Sequence, residues 1–285
     1  MNKRNLAITG LAAAILLAGC DGPQAGEPVV RTEIGKGSEE MMAARKALSP
    51  CRVVVFEEVP LTHCVAEPGK HVISTALSDA SGKPYRSLKR YAESLGNGAV
   101  DVAFAVNGGM FDGEGEPVGY YVENSQRLEE LNQNDGPGNF HLKPNGVFFG
   151  SAGKWQVKTS DEFYRTVGDR PEFGTQSGPM LVINGRLHPE IQDDGPSKAI
   201  RNGVGVDKEG RAHFVTSEAP LSFGQLARFF RDELKVPDAL FLDGNISAVW
   251  DPLAERIDTG AALGPLIVVT NRSKPKDDKA GKDEQ

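Results

Sequence analysis

Short apolar runs recur from residue 52 to residue 269, at 52–57, 72–77, 100–106, 146–149, 155–159, 180–183, 204–206, 213–217, 239–242 and 266–269. Most are four to eight residues long, β-branched or aromatic in character, and bounded by Gly, Asn, Asp or Pro, so they read as strands. Two segments of the body break this pattern, 87–95 and 222–234. In the second, Phe223, Leu226, Ala227, Phe230 and Leu234 fall at helical spacing behind Ser222, a natural N-cap, so an amphipathic helix should cover a sheet there. The expected class is α+β, a mixed multi-stranded β-sheet core flanked by a few helices. The 33 Gly and 18 Pro supply the turns that so many strands need. No repeat of 20–50 residues is visible, so residues 50–272 read as one large domain or two closely knit halves.

The N-terminal segment carries an address. Lys3 and Arg4 precede an apolar run, 6–17, that is too short to span a bilayer as a mature helix. It ends in Leu17-Ala18-Gly19-Cys20, which resembles the lipobox of bacterial lipoproteins, with cleavage before Cys20 and lipid on its thiol. Residues 1–20 are thus expected to be a signal peptide and Cys20 the lipidation site. The protein is then expected on the periplasmic side of the envelope, with Asp21 favouring the inner membrane. Residues 21–49, polar apart from a helix-like stretch at 39–48, read as a tether, and 273–285 as a disordered tail. Loss of residues 1–20 shifts the net charge from -7 to -9, because it removes two basic and no acidic side chains. An acidic chain offers no broad basic surface, which excludes nucleic acid as an expected partner. Cys51 and Cys64 remain, thirteen positions apart in an oxidising compartment; a disulfide is the natural reading and two buried thiols the alternative.

Several kinds of chemistry lack their signatures. There is no G-x-S-x-G elbow, no phosphate-binding G-x-x-x-x-G-K-[ST] loop, no H-E-x-x-H and no dinucleotide-binding G-x-G-x-x-G. The histidines at 63, 71, 141, 188 and 213 show no metal-ligand spacing, so no cofactor is expected and a divalent cation is not indicated. Asp112, Glu114, Glu116 and Glu123 mimic calcium-loop positions, but Pro117 stands where that loop needs Gly.

What remains is a set of polar, Gly-containing turns at the ends of apolar runs. These are Asn107-Gly-Gly-Met-Phe, Gly138-Asn-Phe-His, Pro144-Asn-Gly-Val-Phe, Gln176-Ser-Gly-Pro-Met, Arg201-Asn-Gly-Val-Gly and Asp243-Gly-Asn-Ile-Ser. Any one of them reads as a tight turn. Six together, mixing amide, carboxylate and guanidinium groups, read as a lined polar pocket.

These turns, with Pro117-Val-Gly-Tyr-Tyr-Val-Glu-Asn between them, closely resemble in order the motifs of the phosphodiester glycosidase family, from about residue 51 to residue 270. The resemblance implies that family's fold and the hydrolysis of a sugar-1-phosphodiester. In the family's animal member the sugar removed is N-acetylglucosamine. Such cleavage builds positive charge at the anomeric carbon while the phosphate gains negative charge. The site then needs a carboxylate and a cation more than it needs a general acid. Arg201 is the expected phosphate ligand, Asp243 the first carboxylate and Glu123 the second. Asp112 is a reserve acid, and Asn107, Asn139, Asn145, Gln176, Ser177 and Asn245 are expected to bind sugar hydroxyls or hold the loops. From the expected location, the substrate would be a carbohydrate phosphodiester of the cell envelope. Two alternatives stay open: a glycan- or protein-binding lipoprotein without activity, and a phosphodiesterase that cuts the P–O bond.

Overall fold

A computed structural model describes residues 30–33, 39–243 and 246–272. Its strands form three sheets, and every ladder between them is antiparallel. The first sheet runs, edge to edge, Val30–Glu33, Arg256–Thr259, Val249–Asp251, Val102–Asn107, Leu266–Asn271 and His71–Ala76. In the second the order is Gln126–Glu129, Tyr121–Glu123, Phe173–Ser177, Gly146–Ser151 and Lys154–Thr159. The third has seven strands: Arg186–Leu187, Met180–Ile183, Asp238–Phe241, Asn202–Val206, Ala212–Ser217, Val59–Ala66 and Cys51–Phe56. The α+β class expected from the apolar runs is the class observed.

All three sheets turn a face to one central core, where Phe104, Val106, Phe148, Phe173, Val204, Phe214, Leu240 and Ile267 are buried together. Each sheet's other face has its own cover. Leu88 and Tyr91 of the helix Leu88–Leu95 pack on Ala105, Trp250 and Val268 of the first sheet. Leu226 and Ala227 of the helix Phe223–Arg228 pack on Leu181, Val215 and Phe241 of the third. Because Val102–Asn107 is covered on both faces, all six of its residues are buried, and the sequence there is a continuous apolar run rather than an alternation.

The helix expected behind Ser222 starts at that cap, which forms a reciprocal capping box with Gln225. The other segment that broke the strand pattern holds the helix Leu88–Leu95, capped by Ser87, which accepts from the amide of Arg90. The segment 222–234 is not uniform, however: the helix Phe223–Arg228 gives way to a π-turn at Phe229–Glu233, where the Leu234 amide reaches back to the Phe229 carbonyl. A further helix, Ser160–Thr166, buries Ser160 and Phe163, the latter packed with Tyr120 and Phe149. Within the stretch read as a tether, Val30–Glu33 pairs with Arg256–Thr259, and a helix spans Glu39–Ala47. Cys51 and Cys64 stand directly opposite one another on adjacent strands and are joined by a disulfide. No helix among the described residues is long and apolar enough to cross a membrane.

The outer face of the third sheet carries a buried polar chain. His63 Nε2 lies 2.9 Å from His213 Nδ1, and His213 Nε2 lies 2.9 Å from Asp207 Oδ2, which also accepts from Arg211 Nε. Burial, reinforced by the charges of His213 and Arg211, pushes His63 down to about 4 from 6.5. The folded chain therefore refuses a proton that the unfolded chain accepts, so stability is full above pH 6.5 and falls as the pH drops toward about 4. The expected loss is about 1–3 kcal/mol, discounted for partial exposure. Melting temperature against pH for the wild type and His63→Gln checks this. The variant should show a flatter acid limb, and parallel limbs would rule His63 out as the cause.

Candidate active site

The ends of strands from all three sheets meet at one place, and the polar turns lie there. Asn107 closes Val102–Asn107, and its Oδ1 accepts from Asn202 Nδ2 at 2.6 Å and from the Ala248 amide at 3.0 Å. Asn202 opens Asn202–Val206, and its Oδ1 accepts from the Asp243 amide at 3.0 Å, while its carbonyl takes the Leu242 amide. Ser177, at the end of Phe173–Ser177, donates to the Leu242 carbonyl. One hydrogen-bonded chain thus fixes Asp243 to Asn107 and Ser177.

Glycine permits the close approach of the remaining turns. A methyl group on Gly109 would overlap the Gln176 carbonyl, and one on Gly178 would collide with Asn145 and with the Phe140 carbonyl. Asn145 Nδ2 in turn donates to that Phe140 carbonyl at 2.9 Å. All six turns are therefore contiguous. A cavity of about 140 Å³ beside them is lined by Gln133, Lys143, Pro144, Asn145, Ser160 and Asp161.

Within this cluster the expected site residues divide. Gln176 is buried, and both ends of its amide are taken: Oε1 accepts from Tyr120 and Asn132 amides, and Nε2 donates to the Asn132 carbonyl and to Ser160 Oγ. Gln176, Ser177 and Asn145 hold loops. Asn139 is exposed in a short 3-10 turn, and its carbonyl accepts from the Leu142 amide. Asp112 is exposed, and its Oδ1 caps its own turn through the amides of Glu114, Gly115 and Glu116. Asn107 differs: its Oδ1 is held by two donors, while Nδ2 is buried without a partner. A buried donor left unpaired costs free energy, and a ligand acceptor would relieve it.

Arg201 is 3% exposed. Its Nε donates to the Leu221 carbonyl, its Nη2 to Ser197, and its guanidinium lies 3.6 Å from the centre of the Phe223 ring. Burial lowers its pKa to about 10, and among the described residues no carboxylate hydrogen-bonds it. Successive side chains of a strand point to opposite faces, so Asn202 reaches inward to Asn107 while Arg201 packs outward on Phe223. Glu123 lies three residues along its strand from Tyr120, which pairs with Gln176, or about 10 Å away. It accepts from Tyr121 Oη at 2.9 Å and from the Leu77 amide, and burial raises its pKa. Among the described residues neither bond connects it to the cluster. Asn245 and Cys20 lie outside the described residues.

Sequence reading missed Asn202 as a site residue although its motif was in view, because the neighbouring Arg201 drew the chemical role. It also missed the wall beside it. Thr62 and Thr216 continue the row from Asn202 across the third sheet, and facing them Arg256 bridges Asp258 and Glu218. No group of three or more His, Cys, Asp or Glu suited to hold a metal occurs among the described residues.

Comparison with known proteins shows relatives in sequence and in fold. The chain is 36% identical over 171 residues, 60% of its length, to the uncharacterized Escherichia coli protein YigE, 66% of which is covered. Its fold is similar to that of the zebrafish N-acetylglucosamine-1-phosphodiester alpha-N-acetylglucosaminidase catalytic domain, auto-inhibited by its pro-peptide. There the TM-score is 0.54 at 14% identity, over 85% of this chain and 88% of that one. A Burkholderia pseudomallei protein aligns with a TM-score of 0.50 at 10% identity, over 75% of this chain and 74% of the other. A sequence profile described as phosphodiester glycosidase matches residues 101–275, which include the turns at Asn107, Asn145, Gln176, Arg201 and Asp243. That span is more than half of the chain, and the chain belongs to the phosphodiester glycosidase family.

Proposed function

We propose that this protein is a lipid-anchored envelope hydrolase that releases a sugar resembling N-acetylglucosamine from a sugar-1-phosphodiester. The observation that carries the reading is the chain from Asn107 through Asn202 to Asp243, which holds a carboxylate residue beside a buried amide donor without a partner. In the proposed step the anomeric C–O bond breaks and its electron pair leaves with the phosphate. Water forms the new C–O bond and gives its proton to the Asp243 carboxylate. Asn107 Nδ2 donates to the sugar or to the departing oxygen. Arg201, on the far face of its strand, holds the Ser197 and Leu221 segments and contributes positive potential without touching substrate. The activity named for the zebrafish relative supports N-acetylglucosamine as the sugar to try first. The expected lipid on Cys20 supports an envelope glycan as its source.

The test is incubation of the full chain with an aryl or UDP-linked N-acetylglucosamine phosphodiester, with products separated by chromatography. Free sugar is expected. Release of sugar-1-phosphate would instead mark a phosphodiesterase, and glycan retention without turnover a binding protein.

A further inference from the structure

Three arginines lie around the strand ends described above, and they differ in what their guanidinium groups already hold. Arg256 is closed on both sides by Asp258 and Glu218. Arg201 is turned outward onto Ser197, Leu221 and Phe223. Arg86 is different: its Nη1 is buried and has no hydrogen-bond partner. It sits beside the Asn107 turn, because its carbonyl accepts from the Leu263 amide, Gly264 abuts Phe111, and the Gly108 amide donates to the Pro265 carbonyl. The guanidinium carbon lies 5.3 Å from the centre of the Phe111 ring, so Phe111 supports one face of the group.

A further feature singles out this residue. Its Nη1 is covered by the backbone of Gly115, where a methyl group would overlap it. The covering turn, residues 112–117, is nearly self-contained. Asp112 caps it through three amides, the Asp112 and Glu116 backbones bond each other, and Phe111 bridges to Pro117. It can therefore shift as a unit without losing its own hydrogen bonds.

We propose that Arg86 is the residue that receives the phosphodiester oxygens of the substrate, its Nη1 uncovered when the turn 112–117 moves aside. A guanidinium fork supplies parallel donors to two phosphate oxygens, and its charge gains in value as the leaving phosphate becomes more negative. This assignment rests on the reading that the substrate is a sugar phosphodiester. It moves the phosphate contact from Arg201 to Arg86, whose guanidinium lies against Phe111 of the Asn107 turn.

The experiment compares full-length wild type, Arg86→Gln and Arg86→Lys on an N-acetylglucosamine-1-phosphodiester, with inorganic phosphate as competitor. Arg86→Gln should raise KM about tenfold or more and weaken phosphate inhibition by a similar factor, with Arg86→Lys between the two. Equal KM and equal phosphate inhibition in all three proteins would overturn it. Should Arg86→Gln not fold, Arg86→Lys decides alone: a raised KM supports the assignment and a wild-type KM overturns it. Should the wild type turn nothing over, calorimetric binding of N-acetylglucosamine-1-phosphate separates the two ideas. Binding lost in Arg86→Lys or Arg86→Gln keeps the anion site while the hydrolase reading fails, and binding that is absent or equal in all three overturns the anion site.

Discussion

Asp243→Asn is expected to lower kcat by about a thousandfold or more while leaving the melting temperature within a few degrees of wild type. The substitution keeps the backbone amide that donates to Asn202 Oδ1, and therefore keeps the chain that binds three sheet ends together. What it removes is the carboxylate's charge and its capacity to take a proton or to stand against a cationic sugar carbon. Those functions are needed only as the C–O bond breaks, so the loss should fall on kcat with little change in KM. Paired kinetics and thermal denaturation make the check. Near-wild-type turnover would remove Asp243 from the chemistry, and a large fall in melting temperature at unchanged turnover would leave it a turn-forming residue.

Loss of the Cys51–Cys64 disulfide is expected to cost about 3 kcal/mol, by Cys51→Ala with Cys64→Ala or by reduction under native conditions. The bond closes a loop of sequence separation 13, and loops of that size gain about this much from restriction of the unfolded chain. Both cysteines are buried in the central core on an edge pair of the third sheet, so the bond also fixes the pair that opens that sheet. For a domain of this length the melting temperature should fall by about 6–12 °C. Activity at 25 °C should survive, because among the described residues the hydrogen bonds of the Asn107–Asn202–Asp243 chain do not involve Cys51 or Cys64. An unchanged melting temperature on reduction would show that the strand ladder alone holds this edge.

How much of this was legible depended on what each segment buries. A strand covered on both faces, such as Val102–Asn107, carries an unbroken apolar run over 102–106 and stands out in the sequence. Gln126–Glu129 is exposed at all four positions, and Phe173–Ser177 reads Phe-Gly-Thr-Gln-Ser, so neither carries an apolar signal although both are paired. Their strand state comes from neighbours distant in sequence. The polar turns were legible as a set because Gly and Asn recur together where apolar runs end, and the backbone must bend there with its polar groups satisfied. Their division of labour was not. Gln176 and Asp112 have the same chemistry as a substrate ligand, and only partner geometry shows that Gln176 ties loops together and Asp112 caps its own turn. Glu123 was drawn in by its motif, whereas its strand carries it away from the cluster. Arg86 lies in no turn motif, and its signal, a donor without a partner, exists only in three dimensions.

The neighbours of Val102–Asn107 in its sheet are Val249–Asp251 and Leu266–Asn271, both from the far end of the chain. A nascent polypeptide that has not yet reached residue 243 has nothing to pair with this central strand, and Asn107 has neither Ala248 nor the Asn202-bound Asp243 beside it. Formation of the candidate site is therefore a late event in folding, dominated by non-local pairing and slow for its size. Any turnover is therefore expected only from chains that extend through Asn271, and would report that the pairing of Val102–Asn107 is complete.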